Sequence, residues 1–178
     1  MGDQFSVAVV LCSLGNVHRL EGSPEAAADC LGRSLDLSRR LGYRPIEMFA
    51  LCYLGELHTE REEQAMARDL LDAARAISEE IGEEFGLALT LRALGDLQRR
   101  TGDHAAALGT LGEALVHWER LEAPIWRART LDAIGAVHEA AGRTDDARAA
   151  WSEALRLFRS LDAPEAATVA ERLAEGAE

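Results

Sequence analysis

The feature that most constrains this chain is a register of 40 residues. Leu14-Gly15, Leu54-Gly55, Leu94-Gly95 and Ile134-Gly135 are four apolar-glycine pairs at that constant spacing. The same interval relates Leu11, Leu51, Leu91 and Leu131; Val17, Leu57, Leu97 and Val137; Ala27, Ala67, Ala107 and Ala147; and Leu41, Ile81, Leu121 and Leu161. A chain with so many columns in one register is built from tandem copies of one small unit.

Within a unit the apolar residues fall three and four apart, as in Leu91, Leu94, Leu97 and then Ala107, Leu111, Ala114. That is helical periodicity. Glu21-Gly22-Ser23-Pro24, Thr101-Gly102-Asp103 and Ala141-Gly142-Arg143-Thr144 split each unit into two helices. A left-handed glycine ends the first, and Ser, Asp or Thr caps the second. The second unit has Glu60-Arg61-Glu62-Glu63 there, so a different residue must take the left-handed conformation. Leu41-Gly42, Ile81-Gly82, Pro124 and Pro164 punctuate between units, and Pro164 predicts a ninth helix over about 164–173. Repeats are expected at about 4–42, 44–82, 84–122 and 124–162, forming a single domain over 1–178. Isolated hairpins cannot bury both helices, so neighbours must stack.

Composition narrows the function. The 178 residues are 48% hydrophobic but only 5% aromatic, which suits helices more than sheets. A formal charge of −12 argues against direct nucleic-acid binding. No apolar run reaches the ~18 residues of a membrane span and no secretion signal is evident, so a soluble cytoplasmic protein is expected. Cys12, Cys30 and Cys52 fit neither a metal motif nor a disulfide framework and read as free thiols. His18, His58 and His138 share a column, but equivalent residues of stacked units lie about 8–10 Å apart, too far for one zinc with ligands near ~2.0 Å. The carboxylates around Glu60–Glu63, Glu79-Glu80 and Glu83-Glu84 read as solvated clusters at helix ends. Trp118, Trp126 and Trp151 read as core. No phosphate loop, nucleophile elbow or metal motif is present. No enzyme activity, catalytic residue, metal or cofactor is therefore expected.

The unit resembles the tetratricopeptide repeat. Leu91, Leu94-Gly95, Gln98, Ala107, Leu111 and Ala114 occupy that family's places in the third unit, and the match runs over residues 8–161. It departs at His18, His58, Gln98 and His138, where the family has an aromatic, and in its period of 40. The longer period is similar to the extended repeats of kinesin light chain, of Gly-Leu-rich polarity adaptors and of bacterial transcription activators. The all-Arg, Ala-rich composition is most similar to the C-terminal arrays of actinobacterial antibiotic-regulatory activators. The resemblance implies an all-α right-handed superhelix of four helix-turn-helix repeats with a C-terminal capping helix. It also implies a non-catalytic module binding a protein or peptide, such as another domain of its own parent regulator, or a stand-alone scaffold.

In such arrays the first helices line a concave groove. Carried onto this chain, the groove residues are Val9, Cys12, Asn16 and Arg19; Phe49, Cys52, Glu56 and Thr59; Leu89, Arg92, Asp96 and Arg99; and Arg129, Asp132, Ala136 and Glu139. A ligand would lay apolar groups on Val9, Phe49 and Leu89 and offer an acidic group to Arg92, Arg99 and Arg129. Asn16 remains of the family's carboxylate clamp, but Cys12, Tyr53, Leu89 and Ala93 hold the other places, which argues against a clamp. The first helix carries Phe5, Val7 and Val10 with no preceding cap, so its outer face is a candidate for homodimerisation.

Overall fold

The computed structural model describes the backbone of residues 2–175 and the side chains of residues 4–174. Among the described residues there are nine α-helices and no strand. These are α1 (Gly2–Leu20), α2 (Pro24–Leu41), α3 (Arg44–Glu60), α4 (Gln64–Ile81), α5 (Glu84–Arg100), α6 (His104–Arg120), α7 (Pro124–Ala140), α8 (Thr144–Ser160) and α9 (Glu165–Glu175). The chain forms two compact units, residues 1–93 and 94–178, dividing within α5.

In the first unit α1 pairs with α2 and α3 with α4, while α2 also packs on α3 and α1 touches α3. In the second, α6 packs on α7, α7 on α8 and α8 on α9. The apolar-glycine pair makes each hairpin close. A Cβ on Gly55 would lie 2.5 Å from Leu71 Cγ, and one on Gly95 would lie 2.5 Å from Leu111 Cγ. Any side chain there would drive the leucine out of its packed position. Trp151 takes the leucine's place against Gly135, and its indole N–H donates to the Asp132 carbonyl at 3.2 Å. The alanine column is buried throughout, at Ala27, Ala67, Ala107 and Ala147.

The turns repeat as well. Gly22, Gly102 and Gly142 have positive φ, as the spacing predicts, and in the second unit Glu62 takes the left-handed place with φ 63°. Its amide donates to the Thr59 carbonyl and the next amide, of Glu63, to that of His58 at 2.9 Å, the Schellman pattern also seen after α1. Glu122 and Asp162 do the same between hairpins, where no glycine marked the turn. A left-handed non-glycine residue costs about 1–2 kcal/mol. Glu62→Gly is therefore expected to stabilise the protein by about 1 kcal/mol, read as a higher urea midpoint with an unchanged slope.

The caps need correction. Asp103 caps α6 by accepting the Ala106 amide at 3.1 Å. Ser23 precedes α2 without a side-chain cap, and Thr144 is the first residue of α8, with Arg143 at the capping position. Pro24 already sits in the first turn of α2, where one orphan N–H is absent by chemistry.

Candidate functional site

On one face of the first unit α1, α3 and the first half of α5 lie side by side. The ion pairs crossing this face show how they are offset. Arg19 reaches Glu56 at 2.9 Å and also Glu60, and Glu56 is bonded in turn by Arg92. These partners are 37, 41 and 36 residues apart. These intervals bracket the repeat of 40, so each arginine reaches a carboxylate of a neighbouring first helix within about a turn of its own place in the register.

Packing decides which groove residues are open. Cys12, Cys52, Thr59 and Leu89 are buried and do not line a surface. Each stands one or two places off a core column. Thr59 turns its hydroxyl onto the Gly55 carbonyl at 2.8 Å. Burial pushes the Cys12 and Cys52 thiols up to about 12, against weaker opposing hydrogen bonds from Ser34 and Thr90, so both stay protonated and poorly nucleophilic. Glu56 has only 9% of its side chain exposed and is consumed by the two arginines. Burial also works against the Arg19 charge, but Glu56 and Glu60 outweigh it and hold its pKa above the ordinary value. Asn16 accepts from Arg19 at 2.9 Å.

Val9 and Phe49 do reach the surface, with Val9 38% exposed and Phe49 half-buried. Around them is an aromatic group of which the sequence marked Phe49 as a groove residue, and Phe5 and Tyr53 in other roles. Phe49 stacks on Tyr53 with centroids 6.3 Å apart and meets Phe85 at 6.4 Å, while Phe5 meets Tyr43 edge-on at 5.1 Å. Phe5, Ser6, Val9, Val10 and Tyr43 line an open depression of about 580 Å³. A signal was available: every Phe and Tyr except Phe158 lies in residues 5–85.

In the second unit, Asp96 takes two bonds from Arg99 and one from Arg100, at 2.7–3.0 Å. Arg129 is bonded to Glu165 at 2.6 Å and lies 4.9 Å over the Trp126 ring; Arg172 pairs with Asp132. Ala136 is half-buried and Glu139 is exposed. Arg92, Arg99 and Arg129 are thus each neutralised by a carboxylate of the chain, where the sequence led us to expect arginines offered to a ligand. Burial raises the Asp96 pKa, but the bonds from Arg99 and Arg100 more than reverse it, leaving the carboxyl below its ordinary value. Stability from this cluster is therefore complete above the ordinary carboxylate range and is lost as pH falls through the depressed value. Asp96→Asn is expected to cost about 1 kcal/mol or less at neutral pH, and this difference should vanish in an acid titration.

Among the described residues no group of three His, Cys, Asp or Glu side chains could hold a metal, and no helix is long and apolar enough to cross a membrane. His18, His58 and His138 each face a carboxylate, of Glu21, Glu63 and Asp146 respectively.

The glycine-tight helical hairpins of the first unit agree with the family comparison. Residues 6–80 match the tetratricopeptide repeat. No curated protein matches the chain. Among solved structures, the crystal structure of BtubC (BKLC) from P. vanneervenii is similar, with a TM-score of 0.79 at 18% identity. The alignment covers 98% of this chain and 74% of that one, a likeness of fold. Tetratricopeptide repeats generally mediate protein–protein interaction.

Proposed function

We propose that the chain is a non-catalytic binding module whose ligand is a protein or peptide, held on the first-helix face of residues 1–93. The observation that carries this reading is the open depression lined by Phe5, Ser6, Val9, Val10 and Tyr43. The charged groove positions Arg19, Glu56 and Arg92 are already paired internally. A ligand is therefore anchored by apolar side chains.

Extension of the tetratricopeptide assignment to the third and fourth units rests on the 40-residue columns. The composition and period support a finer reading: the interaction part of a larger bacterial transcription regulator in the cytoplasm, working with other domains of its parent. A reading frame that joins it to winged-helix and nucleotide-binding regions would establish this.

The binding reading is tested by selecting a displayed random-peptide library on the whole chain. Enriched peptides should carry apolar anchors, and Val9→Asp, a change at an exposed site, should weaken them by about tenfold or more. Glu139→Lys, on the other unit, should leave them unaffected. Equal binding to the Val9 variant would sink the assignment.

A further inference from the structure

We infer that the junctions between successive hairpins carry different side-chain codes, so that each hairpin accepts only its own neighbour and the order of stacking is fixed. The hairpins are otherwise near-equivalent. All four share the close glycine, at Gly15, Gly55, Gly95 and Gly135, and the buried alanine, at Ala27, Ala67, Ala107 and Ala147. A chain of such repeats misfolds by stacking a unit on the wrong neighbour, within one chain or between two copies. Correct order matters to the first-helix face, because it brings Glu56 of α3 between Arg19 of α1 and Arg92 of α5.

The first code is charge. Where α2 meets α3, Arg39 binds Glu47 at 3.1 Å; Arg44 also binds Glu47, at 2.8 Å, and reaches Glu80. Where α6 meets α7, the same two columns hold Glu119 and Arg127, 3.7 Å apart, and Arg127 also donates to Glu153 at 2.7 Å. The pair recurs with its charges exchanged. If the end of α2 docked on the start of α7, Arg39 would face Arg127. The end of α6 on the start of α3 would set Glu119 against Glu47. α4 has Glu79 in this column, which would also face Glu47; in its own place Glu79 is bonded by Arg75 of the same helix, and the matching place on α5 is the uncharged Leu87.

The second code is size, one residue before each of these places. Ser38, Ser78 and Trp118 share a column and are all buried. The facing column holds Ile46, Gly86 and Trp126. Trp118 and Trp126 stack on each other at 5.5 Å, while the methyl group of Met48 occupies the place that a Cβ on Gly86 would need. Charge alone would admit Glu79 of α4 against Arg127 of α7. Trp126 would then face Ser78, with the space of an indole unfilled. In the place of α5, α7 would drive Trp126 into Met48. Charge acts first, because it is felt over about 10 Å at about 0.1 M salt. Size then locks the junction as the side chains interdigitate.

Refolding of the whole chain from urea over a range of protein concentrations tests this. Gel filtration after dilution reads the fraction trapped in exchanged oligomers, and near-ultraviolet circular dichroism reads the Trp118–Trp126 stack. Glu119→Arg, Arg127→Glu and Glu153→Arg together keep the attraction at the α6–α7 junction but give it the polarity of the α2–α3 junction. This set should leave the urea midpoint near that of the parent and raise the trapped fraction about tenfold at low salt, since two wrong junctions turn from repulsive to attractive. High salt should erase the difference. Adding Arg39→Glu, Arg44→Glu, Glu47→Arg, Glu79→Arg and Glu80→Arg restores opposite polarities and should return trapping to the parental level. Cancellation is the decisive readout, because plain damage from so many substitutions would accumulate. Equal trapping in the parent and the first set, or still greater trapping in the combined set, would overturn the proposal.

Discussion

Trp118→Ala is expected to be among the most damaging single substitutions in the second unit, costing about 3–5 kcal/mol. Trp118 lies at the C-terminal end of α6 with 0% of its surface exposed, and its ring stacks on Trp126 of α7 at 5.5 Å and 20°. Removing the indole leaves a large void between two helices that meet there, and a packed interior collapses into such a void only in part. Against a total stability of about 5–15 kcal/mol, the loss is a large fraction. The melting midpoint should fall by about 10 °C or more. Trp126→Ala makes the control: its ring is half-buried and its removal should cost clearly less. The damage also has a direction. Trp126 supports Arg129, whose guanidinium lies over the ring and binds Glu165 at the start of α9. Hydrogen exchange in α9 should therefore accelerate in Trp118→Ala. If α9 is as protected as in the parent protein, Trp118 acts on α6 and α7 alone.

How much of this was legible in the sequence depends on whether a residue repeats. Gly55 and Gly95 recur at the register, and the clash that a Cβ would make with Leu71 or Leu111 is the physical reason for the dipeptide. Ala107 and Trp151 were legible for the same reason. Turns were legible where a glycine carried the positive φ. Glu122 and Asp162 hid theirs, because the amides there donate to carbonyls that belong to the helix and are indifferent to the side chain.

The binding face was harder to read. Periodicity assigns a residue to a side of its own helix but says nothing of how far the next helix has slid along it. Packing between helices buries Cys52 and Leu89 and brings Glu56 between Arg19 and Arg92. A reader of the columns sees Arg19 aligned with Thr59 and Arg99, not with Glu56. The aromatic group was missed because, of Phe5, Tyr43, Phe49, Tyr53 and Phe85, only Phe5 and Phe85 share a column, and the ring contacts run between columns.

Glu56→Gln tests whether that lattice holds α1, α3 and α5 in register. The glutamate side chain is 9% exposed, and Arg19 is 10% and Arg92 22% exposed, so solvent screens the triad only weakly. Removing one charge leaves two guanidinium groups facing a neutral amide across α3. Breaking a buried pair in this way costs about 3–5 kcal/mol. The lower end applies here, because Arg19 retains Glu60 and Asn16. The substitution keeps the shape of the side chain, so loss of packing does not confuse the reading. A comparison with Arg19→Met and with the double variant completes a cycle. If the triad acts through charge, the double variant should be clearly more stable than the sum of the singles predicts, by about 1 kcal/mol or more. Strict additivity would mean that the helices are held by apolar packing alone. The peptide-binding face adds a second readout. Val9 sits on α1 and Phe49 on α3, and their separation depends on the register that the triad maintains. Glu56→Gln should thus weaken selected peptides although Glu56 itself is nearly inaccessible to them. A variant that loses stability but keeps full peptide affinity would place the register under the control of the Phe49, Tyr53 and Phe85 rings instead.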